Sequence, residues 1–291
     1  MTAGKGQVDL GPRCWRVASD GAEVAVADLG HPDAPALVLA HGAGSSARFI
    51  IDAFTAPLFR AGIRFVTYDL RGHGESSPAR DPVDHALDHH ADDLAAVVAD
   101  LTVRGVRVGA VGGVSLGAHA AVRAVSRHGL RVAFVLGCLP AWVGRATPGE
   151  GPHAIVAGAV RAAGVEGLLA RVESSPELPA WLRHTLLRDY RRHDPASLAA
   201  ILLALDGGEA PTLEEIEGLT TAVLTVAWDD DPLHPAEVAA SWVMAREVGL
   251  VQPCSLDDME QGVEALGRAA ARAIVRFRGP MERAGDRSAD R

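Results

Sequence analysis

The sequence predicts an α/β fold: a mostly parallel central sheet of about eight strands flanked by helices, with a helical cap inserted after the sixth strand. Three observations carry that prediction. Short apolar or alternating runs recur along the chain, and from residue 36 onward segments of helical period separate most of them. Strands that alternate with helices build a mostly parallel sheet covered on both faces. Between residues 138 and 219 the strand pattern disappears. A stretch that long without structure of its own does not fit inside a compact domain, so it must form a helical layer.

Taken in order, the runs at 14–19 and 23–28 flank an Asp20-Gly21 turn and predict an antiparallel hairpin at one edge. The runs at 36–40, 63–68, 106–112, 132–137 and 221–227 supply the inner strands, and a weaker one lies near 250–255. Helices are expected over 46–60, 84–101, 116–127, 236–248 and 259–277. The segment between them is rich in Ala, Leu and Arg and is punctuated by Pro148, Pro152, Pro176, Pro179, Pro195 and Pro211. The resulting organisation is a core of residues 1–137 and 220–278, a cap of residues 138–219, and a polar, aperiodic tail over 279–291 that is expected to be disordered. There is no internal repeat.

Composition narrows the function classes. The chain has 291 residues, a formal net charge of −9 and a pI near 5.7, with 48% hydrophobic and 22% charged residues. Binding to nucleic acid or to an anionic membrane needs clustered Lys and Arg, so a small neutral or apolar ligand is the better match. No apolar run approaches the roughly 18 residues of a membrane span, and the N-terminal stretch MTAGKGQVDLGPRCW has no apolar centre, so a cytoplasmic protein is expected. The three cysteines, Cys14, Cys138 and Cys254, lie far apart. They give neither a disulfide framework nor a zinc site and are read as small core residues.

Chemistry concentrates in three stretches. GGVSLG, residues 112–117, has the spacing that mounts a nucleophilic serine on a strand-to-helix turn. Gly113 and Gly117 provide room where backbone meets backbone. Ser115 stands at the start of the helix expected over 116–127, where free N–H groups and the helix dipole favour developing negative charge. ALVLAHGAGSSARF at 36–49 puts His41-Gly42 directly after a strand, a loop able to offer amides to an oxyanion. RFVTYDLRGHGESSP at 64–78 ends a strand in a turn of unusual composition.

Through His41-Gly42, the run from Asp69 to Ser76 and Gly113-x-Ser115-x-Gly117, taken in this order, the chain resembles the α/β-hydrolase fold family over roughly residues 20–278. The resemblance implies Ser115 as nucleophile and the amides of Ala43 and Leu116 as oxyanion hole. It places the acid after the strand at 221–227, where WDDDPLHP makes Asp231 the choice and Asp230 the fallback. A serine nucleophile argues against the epoxide and haloalkane branches, which use aspartate there. The family histidine should follow the last strand, near 255–259, but that segment reads CSLDDMEQG and no histidine follows His234.

Other histidines must then be weighed. His41 and His73 belong to turns where the family uses them as braces, and His119 lies on the flank of the nucleophile helix. His85, His89 and His90, with Asp88, Asp92 and Asp93, have metal-like spacing but read as a solvated helix face. His234 shares its loop with Asp231, so its imidazole can turn toward Ser115 while Asp231, Asp257 or Asp258 orients the other nitrogen; a triad is defined by roles, not chain order. The alternatives are a cap histidine (His153, His184 or His193) and no base at all.

The expected protein is a serine hydrolase that cleaves an ester or thioester of a small, mostly apolar substrate through an acyl-enzyme, without metal or organic cofactor. Gly42, Trp142 and Trp181 are expected to line its pocket. One rival keeps the fold without hydrolysis, as a cofactor-free lyase, cyclase or isomerase or as a ligand-binding pseudoenzyme. Another reads Gly42-Ala-Gly44-Ser-Ser-Ala47 and Asp69 as a dinucleotide fingerprint.

Overall fold

The expected strands form a single eight-stranded sheet in the computed structural model, which describes residues 12–149, 152–246 and 248–286. Residues 1–11 of the expected core and 287–291 of the expected tail lie outside the described residues. The strands are β1 (Arg13–Ser19), β2 (Ala22–Leu29), β3 (Ala36–Ala40), β4 (Arg64–Tyr68), β5 (Val108–Val114), β6 (Phe134–Cys138), β7 (Ala222–Trp228) and β8 (Gly249–Cys254). They lie in the order β1-β2-β4-β3-β5-β6-β7-β8. β1 and β2 form the expected edge hairpin, β2 is antiparallel to β4, and all other pairs are parallel.

The inner strands read as unbroken apolar runs because both faces of the sheet are covered. All residues of β3, β4, β6 and β7 are buried. Alternation sorts them by face: Leu37, Leu39 and Phe65 lie on the face that α1 (Ala47–Arg60) and α10 (Glu264–Asp286) cover. Val38, Ala40, Val66 and Tyr68 lie on the opposite face, which α2 (Leu87–Val103), α3 (Leu116–His128) and α8 (Ala236–Met244) cover.

Between β6 and β7 the chain makes four helices, α4 (His153–Ser174), α5 (Ala180–Tyr190), α6 (Pro195–Leu205) and α7 (Leu213–Glu217). α4 packs on α5 and α6, whereas α7 packs on α3 and α8 and so joins the sheet's own layer. α4 changes direction at Gly164, whose φ of 68° is left-handed. No described helix is long and apolar enough to cross a membrane.

Four expectations need correction. The helix expected over 259–277 is two: a Ser255–Asp258 capping box starts α9 (Leu256–Glu260), Gly262 at φ 130° breaks it, and α10 then runs to Asp286, so residues 279–286 of the expected tail are helical. The helix expected over 84–101 is divided into a 3-10 turn, Pro82–His85, and α2. Cys14 is exposed on the edge strand rather than part of the core. The polar helix face is not solvated as a whole: His85, His90 and Asp93 are buried, and Asp93 pairs bidentately with Arg71 at 2.7 and 2.8 Å.

Candidate active site

Strand order brings the three chemical stretches together. The chain winds outward in opposite directions from β3, to β4 on one side and β5 on the other, and such a reversal opens a crevice at the strands' C-terminal ends. Ala40 pairs with Gly113, so the loops after β3 and β5 emerge side by side. A Cβ placed on Gly42 would stand 3.3 Å from the Cβ of Ser115.

Ser115 joins β5 to α3 with φ 52° and ψ −116°, a conformation that L-residues avoid and that costs on the order of 1–3 kcal/mol. Its amide donates to the Cys138 carbonyl at 2.9 Å, and its carbonyl accepts from the amides of Ala118 and His119. A Cβ at Gly113 would lie 2.6 Å from the Ala40 oxygen, and one at Gly117 would lie 2.7 Å from the His41 oxygen. The motif's glycines are therefore steric requirements of pressing α3 against β3.

His234 Nε2 lies 3.1 Å from Ser115 Oγ, and its Nδ1 lies 2.6 Å from Asp231 Oδ2. The local turn aims the imidazole. Asp231 Oδ1 accepts from the Leu233 amide at 2.8 Å and its carbonyl accepts from the His234 amide at 3.3 Å, closing a turn ahead of α8. Burial pushes the Asp231 carboxyl up, but the hydrogen bond and charge of His234, with the Leu233 and His234 amides, outweigh it and hold the group below the usual carboxylate range. An ionised Asp231 accepts from Nδ1–H and leaves Nε2 free to accept from the serine hydroxyl.

The other candidates are engaged elsewhere. Asp230 accepts from the Leu256 amide at 3.1 Å, and Asp258 caps α9. Neither Asp257 nor Asp258 bonds to His234 among the described residues. Of the histidines between β6 and β7, His184 is exposed, His153 sits with its ring 6.5 Å from Trp142, and His193 bonds to the backbone at Gly44 and Gly74. His119 is buried, accepts from the Ala141 amide at 3.2 Å, and is pushed down to about 3 by burial and the nearby His234. Only part of the metal-like set converges: ligand atoms of His89 and Asp92 lie within 4.8 Å of one another and of Asp20, while His85 and His90 turn inward and Asp92 also bonds to Arg127 and His128.

Beside Ser115, the amides of Ala43 and Leu116 have no acceptor among the described residues, whereas the neighbouring Gly44 amide donates to His73. Leu116 is the first residue of α3, where geometry leaves N–H groups unpaired. His41 braces the same loop, donating to the Gly42 carbonyl and accepting from the Leu70 amide. Asp69 accepts from the amides of Ala47 at 2.7 Å and Glu75 at 2.9 Å. Its carboxylate thus occupies the N-terminus of α1, the position where the dinucleotide reading needs a phosphate.

Trp142 packs edge-on against His119 at 5.1 Å, and Trp181 packs against Trp228 at 6.0 Å. Trp228 in turn stands edge-on to His234 at 6.0 Å. Trp228 was overlooked in the sequence, although a bulky aromatic ending β7 directly before the acidic loop was the available signal.

An open sheet with this strand order and a strained serine on the elbow after β5 defines the α/β-hydrolase class of protein. The sequence model of the alpha/beta hydrolase family matches residues 37–267, and the chain belongs to that family. The bifunctional esterase/perhydrolase DCH of Acinetobacter calcoaceticus is 42% identical over 91 residues, 31% of this chain and 32% of that protein. The non-heme chloroperoxidase CPO-A1 of Kitasatospora aureofaciens is 41% identical over 83 residues, 28% of each chain. The match thus spans about a third or less of these relatives' length. In overall fold the chain is similar to the enol-lactonase of Burkholderia xenovorans LB400, with a TM-score of 0.71 and 21% identity over 90% of this chain and 98% of that one. It is similar also to a bromoperoxidase of Bacillus anthracis, with a TM-score of 0.70 and 17% identity over 91% and 99%.

Proposed function

We propose that this chain is a serine hydrolase that cleaves an ester or thioester of a small, mostly apolar substrate through an acyl-enzyme. The observation that carries the reading is the continuous hydrogen-bonded line from Ser115 Oγ through the His234 imidazole to Asp231. In the first half-reaction Ser115 Oγ attacks the substrate carbonyl carbon and its proton passes to His234 Nε2. The amides of Ala43 and Leu116 stabilise the oxyanion. Collapse expels the alcohol or thiol, which takes the proton from His234 and leaves Ser115 acylated. Water then attacks the acyl carbon, His234 again holding the proton in transit, and the acid and free serine are released. Asp231 keeps the proton of the neutral ring on Nδ1 and stabilises the imidazolium.

Trp228 packs edge-on to His234, with half-buried Trp181 against it and half-buried Trp142 against His119, and these aromatic neighbours support a small apolar acyl or alcohol group. The proposed acyl transfer needs neither a metal nor an organic cofactor, because Ser115, His234 and the two amides supply nucleophile, proton transfer and oxyanion stabilisation. The test is intact-mass analysis after incubation with a fluorophosphonate, on wild type, Ser115→Ala and His234→Ala, with peptide mapping of the adduct. A fast adduct on Ser115 that is lost in both folded variants is expected. An unmodified, folded wild type would overturn the hydrolase reading and turn the search to non-hydrolytic chemistry or ligand binding in the same crevice.

A further inference from the structure

Gly44 follows Ala43, the residue whose amide is assigned above to the oxyanion. It adopts φ 70°, and a glycine in that region can swing its flanking peptide planes with little steric resistance. Both of its polar atoms are gripped by imidazoles. The Gly44 amide donates to His73 Nε2 at 3.0 Å, and the Gly44 carbonyl accepts from His193 Nε2 at 3.1 Å. His73 belongs to the turn after β4, while His193 comes from the helices between β6 and β7, 149 residues away from Gly44 in the chain.

The two rings meet edge to face, with centroids 4.9 Å apart and planes at 80°, and both are buried. Every ring nitrogen has one partner, which fixes the tautomers. His73 carries its proton on Nδ1, donating to the Arg71 carbonyl at 2.9 Å; His193 carries its proton on Nε2 and accepts from the Gly74 amide on Nδ1 at 3.1 Å. The same segment holds the turn at two further points. Ser45 Oγ donates to Asp189 at 3.3 Å, and a Cβ on Gly44 would come within 3.1 Å of the Tyr190 ring.

We propose that His193, acting with His73, is a positioning residue for the oxyanion hole: it locks the peptide units around Gly44 so that the Ala43 amide stays aimed beside Ser115. Resting on the catalytic reading above, this role ties the seating of the inserted helices to the acyl-transfer step. Preorganised donors stabilise an oxyanion because they need not reorient during the reaction. A turn free to pivot at Gly44 would lose that advantage.

Two substitutions separate the bonds of the ring. His193→Gln places its amide nitrogen where ring Nε2 was and keeps the donor to Gly44. His193→Asn places its amide oxygen where Nδ1 was, keeping only the acceptor for Gly74. The readouts are the phosphonylation rate of Ser115, kcat and KM on short p-nitrophenyl esters, and a thermal melt for each variant. His193→Asn is expected to lower kcat and the phosphonylation rate about 10- to 100-fold with KM little changed, below the roughly 10²- to 10³-fold loss of an oxyanion donor outright. His193→Gln is expected to recover most of both. His193→Leu replaces Asn if the latter does not melt cooperatively. Equal rates for wild type, Gln and the variant lacking the Gly44 bond, or an effect on KM alone, would overturn the positioning role while leaving the catalytic reading intact. A folded wild type that fails to label overturns both.

Discussion

Mild acid should unfold this protein cooperatively, and the structure sets the scale. Six histidines are buried: His41, His73, His85, His90, His119 and His193. Burial is the largest influence on each and pushes all six downward. Several lie together: the His73 ring centroid is 4.9–6.3 Å from those of His193, His41 and His85, and His85 is 5.6 Å from His90, so charging one opposes charging its neighbours. In the unfolded chain each takes up a proton below about pH 6.5. The unfolded state then binds more protons than the folded one, and stability falls as pH falls. Each neutral histidine contributes about 1.4 kcal/mol per pH unit below that point, so six set a ceiling of about 8 kcal/mol per unit. A domain's whole stability is about 5–15 kcal/mol, so at that ceiling the loss takes at least roughly one to two units below pH 6.5. Urea unfolding at a series of pH values measures this directly, since the slope of stability against pH counts the protons. A slope of more than one proton, with six as the ceiling, is expected once the unfolded histidines are charged. A slope of about one proton or none there would refute the claim that the cluster is held neutral.

Two substitutions extend the reasoning. Neither ring nitrogen of buried His90 has a hydrogen-bond partner among the described residues, so His90→Leu, similar in size and a better helix former, should raise stability by about 1–3 kcal/mol and reduce the proton count by one. A lower urea midpoint at neutral pH would contradict this. Asp231→Asn should reduce kcat by about 10⁴-fold in a folded protein, the scale seen when a triad aspartate is neutralised, whereas Asp230→Asn should stay within about tenfold of wild type. Steady-state ester hydrolysis checks both, and comparable losses would mean that the wrong carboxylate has been assigned.

Much of the architecture was legible because it follows from local periodicity. The run Ala36–Ala40 is strand β3 to the residue, and the other strands fall within two residues of their expected ends. The elbow at Ser115 was equally legible, since Gly113 and Gly117 answer a steric demand that any tight strand-to-helix turn imposes. Asp231 and His234 were legible as neighbours, because three residues of turn decide that they share one loop.

What only the tertiary structure decided are the meetings between distant segments. Local pattern reports that a helix is polar on one side, not what faces it. The residues of α2 read as solvated include Asp93, which is buried because Arg71 arrives from another loop to pair with it. Cys14 reads as apolar strand, yet its strand is the sheet's edge and leaves it exposed. The sequence sets His234 apart from His153, His184 and His193 only by its place beside Asp231. Their fates diverge because β7 lies two strands from β5, which brings its loop over Ser115, while the helices preceding β7 seat His193 on Gly44 instead. A side chain's reach of a few ångströms selects among partners separated by more than a hundred residues, and that selection exists only once the sheet order has closed the distance.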